Sequence, residues 1–262
     1  MENTVKDIQK VSLQILKEVV AICERHNLRY YLYAGSMLGA IRHQGFIPWD
    51  DDLDIAMLRE DYERFKEYAK TELPERYFLQ DYETDEEYPA TTPKVRDSQT
   101  TMIENGYRGL KKMNHGCFLD IFIADYYTPS FINKCRMLKV KVYKWALLMQ
   151  KTYGVKTWKR VIARFFPRNR TFRAIDKTLM KMGKKKDVCS VGSFFFDAAT
   201  FEERINVPFE NIEVAVPKAY DTALRKIYGD YMTLPPEDKR EPRHITEHVR
   251  VDIPYAEYLK TL

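Results

Sequence analysis

The chain is poor in cysteine and has none in a metal-binding pattern. Its four cysteines, Cys23, Cys117, Cys135 and Cys189, form no Cys-x-x-Cys and no spacing shared with paired histidines. That argues against a zinc site and a disulfide framework. No run of about twenty apolar residues occurs, so no helix is expected to span a bilayer. No signal peptide is expected from the opening residues, because Met1-Glu2-Asn3-Thr4 leads into an amphipathic pattern rather than an apolar core. Internal repeats and low-complexity tracts are also absent. Acids are nearly missing between Lys134 and Lys186, where 18 Lys and Arg stand against Asp176 alone. What remains is globular: 262 residues, 45% hydrophobic, enough for one large or two modest domains with a sizeable core. The composition suits a cytoplasmic enzyme.

The acids that are present are concentrated. Pro48-Trp49-Asp50-Asp51-Asp52-Leu53-Asp54-Ile55 reads as a strand with Asp50, Asp52 and Asp54 on one face and Leu53, Ile55 and Met57 filling the other positions. A solvated edge strand or a charged turn is the plain alternative. Against it, Asp is disfavoured in strands, and like charges on one face are costly to bury. A hard cation removes both difficulties. Magnesium takes one or two carboxylates and completes its shell with water and phosphate oxygens. Upstream, residues Leu28 to Ala34 read as a strand. Ser36 to Arg42 reads as a short helix with Ser36 near its N-cap. Free N–H groups at such a helix start suit phosphate, although an ordinary strand-to-helix turn has the same look. Downstream, His115-Gly116-Cys117-Phe118-Leu119-Asp120-Ile121-Phe122-Ile123 is an apolar strand carrying one acid. With no cation nearby in sequence, Asp120 is expected to meet a metal rather than mark a strand end in water.

The periodicity predicts further helices over about Val5 to Asn27, Glu60 to Leu73 and Lys218 to Tyr228, the last stopped by Gly229. Extended segments are expected at Tyr77 to Leu79, around Lys94-Val95, over Thr100 to Ile103, and over Val188 to Phe196 and Ile212 to Val216. A basic helical region lies between, ending near Lys186.

The run from Tyr31 to Ile55, with Ala34-Gly35-Ser36, Leu38-Gly39, Arg42, Gly45-Phe46-Ile47-Pro48-Trp49 and the acidic stretch, resembles the LicD family of phosphocholine transferases. That family is similar in motif to the fukutin group and to the nucleotidyltransferase superfamily. The resemblance continues through Lys94-Val95-Arg96, His115-Gly116, Val207-Pro208-Phe209-Glu210, Tyr228-Gly229-Asp230-Tyr231 and Pro235-Pro236-Glu237. The cysteine zinc site that some fukutin-group members add is not matched. The resemblance implies an α+β fold, with a nucleotidyltransferase-like mixed sheet flanked by helices and a basic helical subdomain. The expected parts are a catalytic core over 1–128, a helical insertion over 129–190, and a C-terminal segment over 191–262 packing back on the core.

It also implies chemistry. Asp52 and Asp54 would hold Mg2+ or Mn2+, with Asp120 completing the site and drawing the proton from the nucleophile. Gly35 and Ser36 would grip the phosphates of a CDP-choline-type donor. Lys94, with Arg42 or Arg96, would neutralise charge on the transferred group, and Trp49 and His115 would complete the substrate site. The acceptor would be a hydroxyl of a glycan or lipid-linked precursor, such as teichoic acid or lipopolysaccharide, and CMP would leave. Asp50 and Asp51 have no fixed role, and His244 and His248 receive none. A choline cage needs aromatic faces, for which Tyr31, Tyr33, Trp49 and Tyr107 are candidates. Transfer of a nucleoside monophosphate with release of pyrophosphate, and a non-catalytic polyanion-binding protein, are the alternatives.

The formal charge is +5; with +17 between Lys134 and Lys186, the remainder is −12. Aromatic and aliphatic residues such as Trp145, Trp158 and Phe165 are interleaved with these charges. Helices of this kind suit an anionic membrane surface, and given the family's acceptors this is preferred over nucleic acid. A closure over the anionic nucleotide is the third option. The protein is therefore expected in the cytoplasm, peripheral on the inner face of the membrane.

Overall fold

The first helix, α1 (Val5–Arg25), follows from apolar residues at helical spacing and buries Ile8, Ile15, Leu16, Val19, Ile22 and Cys23. Each such large aliphatic side chain contributes about 1.5–3 kcal/mol on burial. The structure is a computed structural model and describes residues 5–151, 154–183, 186–242 and 248–262. His244 and the Lys184-Lys185 pair of the basic segment lie outside the described residues. No helix among those described is long and apolar enough to cross a membrane.

The strand expected over residues 28–34 shrinks to β1 (Tyr31–Leu32), which pairs antiparallel with Ala56 and Ile55. Helix α2 spans Ala34–His43, with Tyr33 rather than Ser36 at the capping position. The chain turns out of β1 through Ala34, whose φ of 45° is uncommon for a residue with a Cβ. Strand β2 (Asp54–Leu58) begins at the last acid, so residues 50–53 are not part of it. The reason is a turn over 47–50. The Asp50 N–H donates to the Ile47 carbonyl, and the Gln9 amide of α1 donates to the carbonyls of Ile47 and Asp50 at 3.0 and 2.8 Å.

Helix α3 (Arg59–Glu72), strands β3 (Tyr77–Gln80), β4 (Lys94–Asp97) and β5 (Thr101–Met102), and the long β6 (Cys117–Tyr126) complete the first half. Among the described residues the main sheet has seven strands, in the order β1-β2-β6-β4-β3, extended from β6 by β7 (Val188–Val191) and β8 (Phe194–Asp197). β2 and β6 run parallel, with Asp54 in register with Asp120. The other pairs in this sheet are antiparallel. The fold is thus α+β, with a mixed sheet flanked by helices.

Between β6 and β7 the described residues form α4 (Phe131–Lys151), α5 (Thr157–Ala163) and α6 (Arg168–Met180). They share a small core of Val140, Leu147, Phe172 and Ile175, against which Tyr82 packs. The Tyr82 ring stacks on Phe172 at 4.4 Å, and its hydroxyl donates to Asp176 Oδ2 at 2.7 Å. Asp176 also faces Arg59 at 3.3 Å. The lone acid of the basic segment is therefore turned inward.

Among the described residues, apolar side chains of the C-terminal part join the main core. The hairpin of β9 (Arg204–Phe209) and β10 (Ile212–Pro217) and helix α7 (Tyr220–Tyr228) place Phe209, Val214, Val216 and Leu224 in the main core. β11 (Val249–Arg250) pairs with β5. The hairpin turn residue Glu210 takes a φ of 55°. Its backbone N–H donates to the Gln44 carbonyl at 2.9 Å, and its Oε1 accepts from the Phe46 N–H at 3.1 Å. This fixes the loop after α2, which passes so close to the helix that a Cβ on Gly39 would lie 2.5 Å from the Gly45 carbonyl oxygen. Gly39→Ala is therefore expected to destabilise the protein by about 1–3 kcal/mol through overpacking against backbone. Denaturant unfolding measures this, and an unchanged midpoint would contradict the close approach.

Candidate active site

Where α2 leaves β1, a cavity of about 590 Å³ opens beside the acids. Asp50, Asp52 and Asp54 all line it, with Gly35, Arg42 and Trp49. Asp51 and Leu53 are buried and do not line it. The alternation expected of a strand survives, although residues 50–53 are turn and coil. Gly35 lets the Asp50 carboxylate sit close to the start of α2: a Cβ there would lie 2.7 Å from Asp50 Oδ2 and displace that side chain. Ser36 is buried rather than presented to the cavity. Its Oγ accepts the Asp54 N–H at 2.8 Å, while the Tyr33 N–H donates to the Asp54 carbonyl at 2.9 Å. The Gly-Ser turn thus anchors the start of the acidic strand.

Asp120 does have a cation, and it comes from the opposite neighbour of β6. Lys94 on β4 is in register with Asp120, and its Nζ lies 2.8 Å from Oδ1 and 3.0 Å from Oδ2. The second contact is the well-directed hydrogen bond. The Lys94 ammonium also sits 3.4 Å from the centre of the Phe118 ring. No cation stands near Asp120 in the local run, as read from the sequence; the partner is a cross-strand one, set by register rather than by neighbours along the chain.

Burial pushes the Asp54 carboxyl well above the usual carboxylate range, and the like charges of Asp52, Asp120 and Asp50 push it further; Lys94 opposes them. Burial also raises Asp120, against the pull of Lys94, with Glu104 and Asp52 adding to the rise. These groups form one cluster with more negative than positive charge.

Arg96 and His115 are not brought to the cavity. Arg96 is fully buried and donates to Gln80 Oε1 at 2.5 Å, the Gly116 carbonyl at 2.7 Å and Glu104 Oε2 at 2.7 Å. Those bonds tie β4 to its surroundings. His115 is buried against the Leu110 carbonyl, 2.8 Å from Nε2, and burial holds its imidazole below the usual range. Arg42 lines the cavity and donates to the Tyr231 carbonyl at 2.7 Å. His248 stands beside the Tyr258 hydroxyl at 3.1 Å. Of the four aromatic candidates only Trp49 lines the cavity. Tyr31 and Tyr33 are buried and donate to the carbonyls of Phe201 and Val191, and Tyr107 packs against Tyr88.

The far wall of the cavity comes from residues to which no role was attached: Tyr228, Asp230, Tyr231, Thr233, Lys239 and Glu241. The signal was present, since the Tyr228-Gly229-Asp230-Tyr231 stretch carries part of the resemblance. Its contact with the acidic turn, however, spans most of the chain. Arg240 lies 5.5 Å from the Trp49 ring and so occupies one face of the indole.

Among the described residues no three His, Cys, Asp or Glu side chains converge closely enough to hold an ion alone. The residues fit a magnesium-type ion of another kind, one taking one or two carboxylates and filling its shell from water and phosphate. The buried Asp54, under repulsion from its neighbours, is the observation that favours such an ion.

A family model described as LicD/FKTN/FKRP, nucleotidyltransferase domain, matches residues 27–122. The lipopolysaccharide cholinephosphotransferase LicD of Haemophilus influenzae is 31% identical over 268 residues, covering 93% of this chain and 97% of that protein. Ribitol 5-phosphate transferase FKRP of mouse and human is 49% identical over 43 residues, 16% of this chain and 9% of theirs.

Two substitutions test the electrostatics. Because the Asp54 carboxyl is raised, its proton stabilises the fold at low pH, and that contribution is lost as pH rises through the raised value. In chelator at neutral pH, Asp54→Asn should raise Tm by about 2–4 °C, the shift of roughly 1 kcal/mol in a chain of this size. The gain should shrink as pH falls; a lowered Tm would contradict the repulsion. Lys94→Met should cost about 3 kcal/mol by leaving Asp120 buried without its cation. Adding Asp120→Asn should recover part of that loss in denaturant titrations.

Proposed function

The chain belongs to the LicD family, and from that premise we propose that it transfers phosphocholine, or a related substituted phosphate, from a CDP-linked donor to a hydroxyl of a glycan, with release of CMP. The observation that carries this reading is the cavity itself. Asp50, Asp52 and Asp54 lie beside Gly35 at the start of α2, and aromatic and charged residues from the C-terminal part face them. A diphosphate needs what one side offers, and a substituted head group meets the other.

The proposed roles follow from position. Gly35 leaves room for a phosphate next to the backbone N–H groups at the start of α2. Asp52 and Asp54 would hold a divalent cation, which when bound supplies neutralisation of phosphate charge. Arg42 and Lys239 line the same space and add positive charge toward the phosphates. The acceptor oxygen bonds to the distal phosphorus as the bond from that phosphorus to the CMP oxygen breaks. The hydroxyl proton passes to Asp120, which stands in register with the cavity-lining Asp54 on the neighbouring strand and which Lys94 holds in place. Trp49, Tyr228 and Tyr231 offer ring faces, and Asp230 and Glu241 offer negative charge, for a quaternary ammonium. Lipopolysaccharide and teichoic acid precursors are the acceptor classes this reading favours, with the enzyme working on the cytoplasmic side of the membrane.

Purified protein given magnesium, CDP-choline and an acceptor glycan should release CMP, with choline recovered on the acceptor. Asp52→Asn or Asp54→Asn should lower the rate by about 10²–10³-fold, the scale of losing one electrostatic stabiliser. Pyrophosphate release from CTP, with no CMP from CDP-choline, would reassign the protein to nucleotidyl transfer.

A further inference from the structure

Nine of the fourteen large hydrophobic residues exposed among the described residues lie between Phe131 and Met180. On α4, Phe131, Leu138 and Val142 are exposed at positions i, i+7 and i+11, with the exposed Cys135 between them. They form one stripe along a helix. On and just after α5, Trp158, Ile162 and Phe165 are exposed. Phe131 and Phe165 keep 81% and 80% of their surface in solvent, a large cost for aromatic side chains that nothing covers.

The charges around these residues are of one sign. Lys134, Lys139 and Lys141 on α4 and Arg164 after α5 are exposed, and no ion pair among the described residues engages them. The segment's single acid, Asp176, is turned away toward Arg59 and the Tyr82 hydroxyl. The surface is therefore apolar ridges set in positive charge with no acid to neutralise it.

From this we infer that the outer face of α4 and α5 docks on an anionic lipid bilayer, with Phe131, Leu138, Val142, Trp158, Ile162 and Phe165 entering the headgroup boundary and the lysines meeting lipid phosphates. Such a surface satisfies both parts of the face at once: acyl chains cover the apolar side chains, and anionic headgroups draw the basic ones. A nucleic acid rewards the charge through its phosphates but has no cover for Leu138, Val142 and Ile162. A second copy of the same face would bring positive charge against positive charge. The inference is independent of the chemistry in the acidic cavity. If both hold, the cavity works beside acceptors carried on the membrane.

The test uses the full chain in sedimentation with vesicles of equimolar phosphatidylglycerol and phosphatidylcholine, and with phosphatidylcholine alone. Partition onto the anionic vesicles should be at least about tenfold stronger. It should fall at least about tenfold between roughly 0.1 M and 1 M salt as the screening length shortens. The Leu138→Ser/Phe165→Ser double variant should lose about tenfold in binding, with unchanged thermal unfolding and unchanged CMP release on a soluble acceptor. Trp158→Phe should remove a blue shift in emission seen on anionic vesicles. Equal partition onto both vesicle types, or full binding by the double variant, would overturn the inference. So would tighter binding to mixed-sequence duplex DNA than to anionic vesicles. Loss of CMP release in the parent protein with vesicle binding intact would refute the proposed chemistry and leave this inference standing.

Discussion

The parallel pairing of β2 with β6 is the constraint around which the site is arranged. It sets Asp54 level with Asp120 on neighbouring strands, about 4.8 Å apart in the direction of pairing. Two carboxylates placed that way inside a protein repel each other and lose hydration. The fold offsets part of this with Lys94, delivered to Asp120 by β4 on the other side of β6. It leaves Asp54 with its carboxyl displaced upward by burial and by three neighbouring acids. A site that keeps such an imbalance is less stable than an apolar one of the same shape. That is the usual cost of arranging charge for binding rather than for stability.

The rest of the core holds that pair in place through backbone bonds. Ser36 and Tyr33 bind the two polar groups of the Asp54 peptide, and the Asp120 N–H donates to the Leu53 carbonyl at 2.9 Å. Gln9 of α1 secures the acidic turn. Glu210, from a hairpin far along the chain, secures the loop after α2. The short motifs that mark the sequence are thus one mechanical unit. Arg96 shows the same logic: a fully buried guanidinium that donates from each of its three nitrogens supports the sheet that carries Lys94.

The helical insertion answers to a different demand. Its inner side is an ordinary small core joined to the sheet domain through Tyr82, Arg59 and the Arg168 contacts to the carbonyls of Tyr82, Asp85 and Tyr88. Its outer side carries exposed hydrophobic and basic residues together. Engagement of the one acid by Arg59 and the Tyr82 hydroxyl leaves the exposed charges on α4 and after α5 of one sign.

Much of this was legible in sequence because it is local. Helical periodicity located α1, α3 and α7, the acidic turn and the Gly-Ser step marked the cavity, and the residues shared with the LicD family gave the fold class. Even the alternation of Asp50, Asp52 and Asp54 held where the strand itself did not extend. The sequence by itself therefore determined the main helices and the acidic character of the site, since these depend on neighbours a few residues apart, while the extent of the strands around the acids did not follow from it. Only the tertiary structure decided which cation meets Asp120, that Arg96 and His115 are spent in the interior, and that the 228–241 stretch closes the cavity. Those outcomes depend on strand register and on packing between segments that lie up to about two hundred residues apart, and the chain carries no local mark of either.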